Sequence, residues 1–255
     1  MNFEIIDFHI HPFISANDNL CKYKDTLHMN CDTTYTDMKS AGISKFCGSV
    51  IKKNSSDFSV LQECNRDALK LKELYSSDYI PGFQVSPNFI EESIDEIDFA
   101  RQCGINLIGE LVPYMHNWTD YSCKEFSLLL EHIEKYDMVV SLHTMDLTQM
   151  ELMAKNHPHI RFVFAHPGER DLVLQHIDIM KRLDNVFLDI SGTGILRYGV
   201  IKKLVTEVGA ERILFGTDYP IGNPYAYING VLGEKISDRE KEMIFSGNAK
   251  TLLKI

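Results

Sequence analysis

Two histidines one residue apart, His9 and His11 in EIIDFHIHP, are the first residues of the chain whose type and spacing suit metal chemistry. Residues i and i+2 of a β-strand project from one face of the pleat, so both imidazoles point the same way. Neutral imidazole is a common ligand for divalent metals. The plainer alternative is two histidines hydrogen-bonded in a core, and a motif this short also arises by chance. Four more titratable residues stand in similar places: Glu110 in NLIGELV, His143 in MVVSLHT, His166 in IRFVFAH and Asp218 in RILFGTD. Glu110 is carried within its apolar run and the other three stand at the ends of theirs, where an unpaired charge is costly. Singly, Asp218 reads as a loop cap, Glu110 as an arginine partner, and His143 or His166 as a satisfied core histidine. Jointly, the six placements point to one metal site.

These side chains can act together only if the fold gathers the ends of their segments. Eight apolar runs read as strands, at 4–12, 43–51, 79–85, 106–112, 138–144, 160–166, 185–191 and 212–218. Helical spacing of apolar residues appears at 58–75, 90–103, 123–136, 146–156, 169–183, 200–208 and 237–253, with a shorter helix closing at Gly42. Strands alternating with helices imply parallel βαβ units, and eight of them fit an α/β fold of the (β/α)8 TIM-barrel type, with a doubly wound open sheet as the competing topology. In a barrel the active site is built at the C-terminal ends of the strands, so the six residues converge on one mouth. The longest loops are expected at 12–40, 113–122 and 219–234. No linker, low-complexity tract or internal repeat divides the chain, which predicts a single domain over residues 1–255.

Composition narrows the function classes. Hydrophobic residues at 44% and charged residues at 24% are ordinary for a globular protein. A net charge of −10 argues against broad affinity for nucleic acids, which rests on basic side chains at phosphates. No stretch approaches the ~18 apolar residues of a membrane-spanning helix, and MNFEIIDF does not read as a signal peptide. The six cysteines contain no Cys-x-x-Cys pair, which fits reduced thiols in a cytoplasmic protein, with Cys47 and Cys103 as inert core residues. A homo-oligomer is compatible with all of this.

DFHIHP, the GE at 109–110, the histidines of SLHT and FAHPG, and GTDYP at 216–220 together resemble the amidohydrolase superfamily across residues 5–253. The resemblance implies a (β/α)8 metal-dependent hydrolase in which His9, His11 and Asp218 bind one metal while His143 and His166 face a second. HPG, GTDYP and the C-terminal SGNAKTLL further resemble the amidohydrolase-related branch, which contains decarboxylases and hydrolases of small acids. Glu110 stands where many relatives carry a bridging carboxylated lysine and where TatD-type deoxyribonucleases carry glutamate. Decarboxylases of the branch generally hold a single metal without such a bridge. Glu110 departs from that pattern and implies a two-metal centre, the alternative being that it completes a mononuclear site.

The expected cofactors are one or two divalent ions, Zn2+ foremost, with Mn2+, Fe2+ and Co2+ also suited to mixed nitrogen and oxygen ligands. Metal-activated water would cleave a C–N or C–O bond of a small, anionic amide, lactam, lactone or ester, with Asp218 as both ligand and general base. The alternative is metal-dependent decarboxylation of a small unsaturated or aromatic acid. TatD-like nuclease action, opposed by the acidic balance, and a noncatalytic metal-binding role rank below these. Substrate contacts are expected from Tyr114, His116 and Trp118 after the fourth strand, Arg170 after the sixth, Arg197 and Tyr198 after the seventh, and Tyr219 and Asn223 after the eighth. Arg170 and Arg197 are the candidates for gripping a carboxylate or phosphate. Loop packing is the alternative for each. His132, His157, His159 and His176 fit surface or packing roles.

Overall fold

The apolar runs form eight parallel strands: β1 Ile6–Ile10, β2 Lys45–Gly48, β3 Tyr79–Pro81, β4 Leu107–Leu111, β5 Val139–His143, β6 Arg161–Ala165, β7 Val186–Asp189 and β8 Ile213–Leu214. This computed structural model describes residues 3–52 and 57–255. Nearly every strand residue is buried, as expected of parallel strands covered on both faces. β1 to β3 pair in sequence order, as do β4 to β8. Backbone hydrogen bonds join the two sets at both seams. Phe83 N donates to Leu107 O at 3.0 Å and Gly109 N to Phe83 O at 2.7 Å, joining the segment after β3 to β4. At the other seam Phe8 N donates to Phe215 O at 2.8 Å, Asp218 N to His9 O at 2.8 Å and His11 N to Tyr219 O at 2.7 Å. The strands therefore run in a ring, a (β/α)8 barrel rather than an open sheet.

Helices Phe58–Tyr75, Ile90–Gln102, Lys124–Glu134, Leu147–Asn156, Arg170–Arg182 and Val200–Val208 alternate with the strands. The Phe58–Tyr75 helix shows why: Leu61, Cys64, Ala68, Leu71 and Tyr75 form its buried stripe, and the Asp57 carboxylate accepts from Ser59 N at its start. A second apolar cluster ties Ile6, Phe8, Val139, Val163 and Leu214 to Leu252 and Leu253 near the C-terminus. Cys47 is fully buried in that cluster, while Cys103 is only partly covered. Among the described residues no helix is long and apolar enough to cross a membrane.

Three segments differ from the sequence expectation. Residues 12–40 hold a short helix at Lys24–Leu27, and the helix expected to close at Gly42 is present but longer, running Cys31–Ser40 from a capping box between Asn30 and Thr33. The expected loop at 219–234 contains helix Pro224–Gly233, with Asn223 accepting from Tyr225 N and Pro224 in the first turn. The C-terminal helix is divided into Asp238–Glu242 and Asn248–Leu253 by a π-helical turn at Met243–Gly247. There the Ile244 carbonyl accepts from Phe215 N at 3.0 Å, beside β8, and so serves the barrel as well as the helix.

Candidate metal centre

Four donor atoms crowd one point at the C-terminal ends of the strands. His9 Nε2 and His11 Nε2 lie 3.1 Å apart. Glu110 Oε2 is 3.3 Å from the first and 3.2 Å from the second, and Asp218 Oδ1 is 3.6 and 3.4 Å from them. A tetrahedral ion with bonds of about 2.0–2.1 Å sets its ligands about 3.3–3.4 Å apart, so the spacing fits a divalent metal of zinc size. His9, His11 and Asp218 form one group able to hold an ion. Glu110 Oε1, the other carboxylate oxygen, lies 3.0 Å from His143 Nδ1 and 3.4 Å from His166 Nε2. Glu110, His143 and His166 form a second such group, and the Glu110 carboxylate presents one oxygen to each.

Buried partners set the tautomers. His9 Nδ1 lies 3.0 Å from Asp189 Oδ2, His11 Nδ1 lies 3.2 Å from the Ser49 carbonyl, and His166 Nδ1 lies 3.0 Å from Ser191 Oγ. An Nδ1–H donated to an oxygen leaves the Nε2 lone pair free for a metal, the usual support of ligating histidines. The Gln84 amide donates at 2.7 Å to both the Glu110 carbonyl and Ser49 Oγ, tying the two strand ends together. Gln84 is itself held by Asn65, whose Oδ1 accepts from Gln84 N at 2.6 Å. The sequence reading misses Asp189, Ser191, Ser49 and Gln84. Asp189 carried a signal, since it closes the apolar run NVFLDIS as Asp218 closes its own.

Backbone conformation also serves the centre. His166 and Asp218 have φ of 67° and 58°, a left-handed region unusual for non-glycine residues and concentrated at functional sites. Gly109, before Glu110, has φ of 90°, and a Cβ there would lie 2.2 Å from the Ser141 carbonyl. β4 can approach β5 this closely only with glycine at that position.

Electrostatics point the same way. Burial opposes charge on His9, yet the adjacent Glu110 and Asp189 carboxylates raise its pKa well above the usual histidine value. Burial likewise opposes charge on His11, and hydrogen bonds to Asp218 and Glu110 outweigh it, raising the group to about 9. His166 is raised by Glu110 against its burial. Burial pushes Glu110 up, but the histidines around it hold it well below the ordinary glutamate value. Asp189 is lowered against burial by His9. Buried carboxylates surrounded by imidazoles therefore demand positive charge at their centre. A divalent ion would supply it.

The residues expected to contact substrate scatter. Tyr114 is 56% exposed and sets its ring edge-on to His143 at 5.4 Å, on the rim of the centre. His116 is buried, and burial lowers it to about 4. Trp118 packs against Tyr121 and Phe126. The Tyr219 phenol donates to Asp37 Oδ2 at 2.8 Å, and Asn223 caps a helix. A cavity of about 310 Å³ opens on the centre, lined by His143, His166 and Asp218 among others. Arg170, Arg197 and Tyr198 instead line a separate cavity of about 640 Å³ between the loops that follow β6 and β7. His132 meets Asp98 at 2.6 Å and His157 meets Ser127 at 2.9 Å, both away from the centre.

The chain is similar over its whole length to solved structures. 2,6-Dihydroxybenzoate decarboxylase from Rhizobium superposes with a TM-score of 0.76 at 14% identity, covering 100% of this chain and 99% of that one. 5-Carboxyvanillate decarboxylase from Novosphingobium aromaticivorans, a mutant solved with bound manganese and a nitrobenzoic acid, gives 0.78 at 13% identity over 99% and 97%. A putative amidohydrolase from Staphylococcus aureus gives 0.77 at 15% identity over 99% and 100%. Among curated proteins no match is found. The family model described as amidohydrolase matches residues 6–255, and the chain therefore belongs to the amidohydrolase family.

Proposed function

We propose that this protein is a metal-dependent hydrolase that cleaves a C–N or C–O bond of a small anionic substrate at a centre of two ions bridged by Glu110. The observation that carries this reading is the two-sided Glu110 carboxylate, with Oε2 toward His9 and His11 and Oε1 toward His143 and His166. Bound divalent ions would lower the pKa of water toward ~7 and polarise the substrate carbonyl. Asp218 would take the proton from the attacking water and return it to the leaving group. Asp189, Ser49 and Ser191 would keep His9, His11 and His166 in the ligating tautomer. A small-molecule substrate fits the cavity of about 310 Å³ at the centre, and nucleic acid is not the expected partner. The six free cysteines support a cytoplasmic setting.

A second reading, decarboxylation of a small aromatic acid, has its own support, and the comparisons lean toward it. Two of the solved structures that cover nearly the whole chain are decarboxylases of such acids, one of them with bound manganese. At this identity the likeness carries the fold, while function has to be argued from the site. The deciding experiment is elemental analysis of the purified protein, paired with assays of the Zn2+- and Mn2+-loaded forms. Acid release from lactones, esters and amides would be followed beside carbon dioxide release from hydroxybenzoates. Two ions per chain with hydrolysis supports the first reading. One ion per chain with carbon dioxide release replaces it with the second.

A further inference from the structure

We infer that the cavity between the loops following β6 and β7 is a subsite for a second anionic group of the substrate, a carboxylate on an alkyl or aromatic frame. The inference rests on the metal-centre reading above and specifies its substrate as a diacid with one end at each place. The cavity, about 640 Å³, is larger than the one of about 310 Å³ that opens on the centre, and Gly168 lines both. The two loops touch backbone to backbone there. A Cβ on Gly194 would lie 1.8 Å from the Gly168 carbonyl, and the Leu172 side chain, which lines the smaller cavity, packs against Gly168 on its other side, so the two cavities are neighbours across this contact.

The lining has the chemistry of an anion receptor with an apolar wall. Arg170, Arg197 and Lys203 face it with Glu169 as the one carboxylate, in a chain of 36 acidic and 26 basic residues. Such a local excess of positive charge draws anions to one place on an otherwise acidic molecule. Arg197 is held by Glu169 at 3.1 Å and Arg170 by Asp171 at 3.5 Å, with the arginine side chains 74% and 84% exposed. Exposed pairs of this kind contribute little, so both guanidinium groups can turn to a ligand carboxylate and bind it through two parallel N–H donors. Val173, Leu174 and Tyr198 supply the apolar side, which suits a hydrocarbon frame better than a bare inorganic anion.

The test is calorimetric titration of the full chain loaded with Mn2+, comparing adipate with hexanoate and terephthalate with benzoate. At least one diacid should bind roughly tenfold or more tightly than its monoacid. In Arg170→Gln/Arg197→Gln that gap should close, while monoacid and Mn2+ affinities stay as in the wild type. Should the double variant fail to fold, Lys203→Gln narrows the gap in the same direction. Diacids that bind no tighter than monoacids, binding of none of the four, or a gap that survives the substitutions would overturn the inference. Normal Mn2+ uptake in those cases leaves the metal-centre reading standing. A wild type that takes up neither Mn2+ nor Zn2+ overturns both.

Discussion

At the scale of single residues, the centre depends on partners as much as on ligands. Asp189 is fully buried and lies 3.0 Å from His9 Nδ1, a placement that favours a proton on that nitrogen and would leave Nε2 for the proposed metal. Asp189→Asn keeps the shape but offers an N–H where an acceptor is needed, favouring the other tautomer. Metal affinity, measured by competition with a chelator, should fall about 10- to 100-fold with the circular dichroism spectrum unchanged. Wild-type affinity in this variant would remove Asp189 from the account. Asp218→Asn tests a different role. Losing the proton acceptor should lower kcat by about 10²–10⁴-fold and leave KM within a few fold, and a variant retaining a tenth of the activity would exclude Asp218 as the base. The residues gathered at the centre are legible in the sequence because a titratable side chain in or at the end of an apolar run is out of place there. Ser49 and Gln84 are not, since one acts partly through its carbonyl and both are uncharged, so nothing about their residue type marks them.

At the scale of elements, all eight strands are readable because parallel strands buried on both faces leave continuous apolar runs. Helix Phe58–Tyr75 is readable from end to end, its buried stripe repeating at helical spacing. Helix Pro224–Gly233 is hidden because Pro224, Gly230 and Gly233 resemble breakers, although Asn223 followed by proline is also a helix start. The π-helical turn at Met243–Gly247 has no local signature, because its cause is a hydrogen bond from distant Phe215. Strand pairing imposes one requirement that a substitution can expose. In Gly109→Ala the new methyl would meet the Ser141 carbonyl at 2.2 Å and Leu111 N at 2.5 Å, at a φ that L-residues avoid. Urea unfolding should show a loss of about 2–4 kcal/mol, and an unchanged midpoint would mean that β4 and β5 can move apart freely.

At the scale of the whole molecule, buried titratable groups at and beyond the centre make stability depend on pH in opposing directions. Asp7 is raised to about 7, chiefly by burial, so between its unfolded value of 3.8 and that value it favours the folded state as pH falls. His176 opposes it. It is fully buried next to Phe164, and burial lowers it from 6.5 to about 4. A histidine lowered on folding contributes its stability above its unfolded value and loses it as pH falls toward its folded value, because the unfolded chain binds the proton first. The wild-type curve mixes these groups, whereas the difference between wild type and His176→Gln isolates one of them. With metal occupancy held constant, the free-energy difference between the two proteins should shift by about 2 kcal/mol against the wild type between pH 7 and pH 5. Urea melts at pH 7, 6 and 5 measure it directly. Parallel curves across that range would mean that His176 takes up its proton in the folded protein at the ordinary value, and so that this part of the barrel admits water.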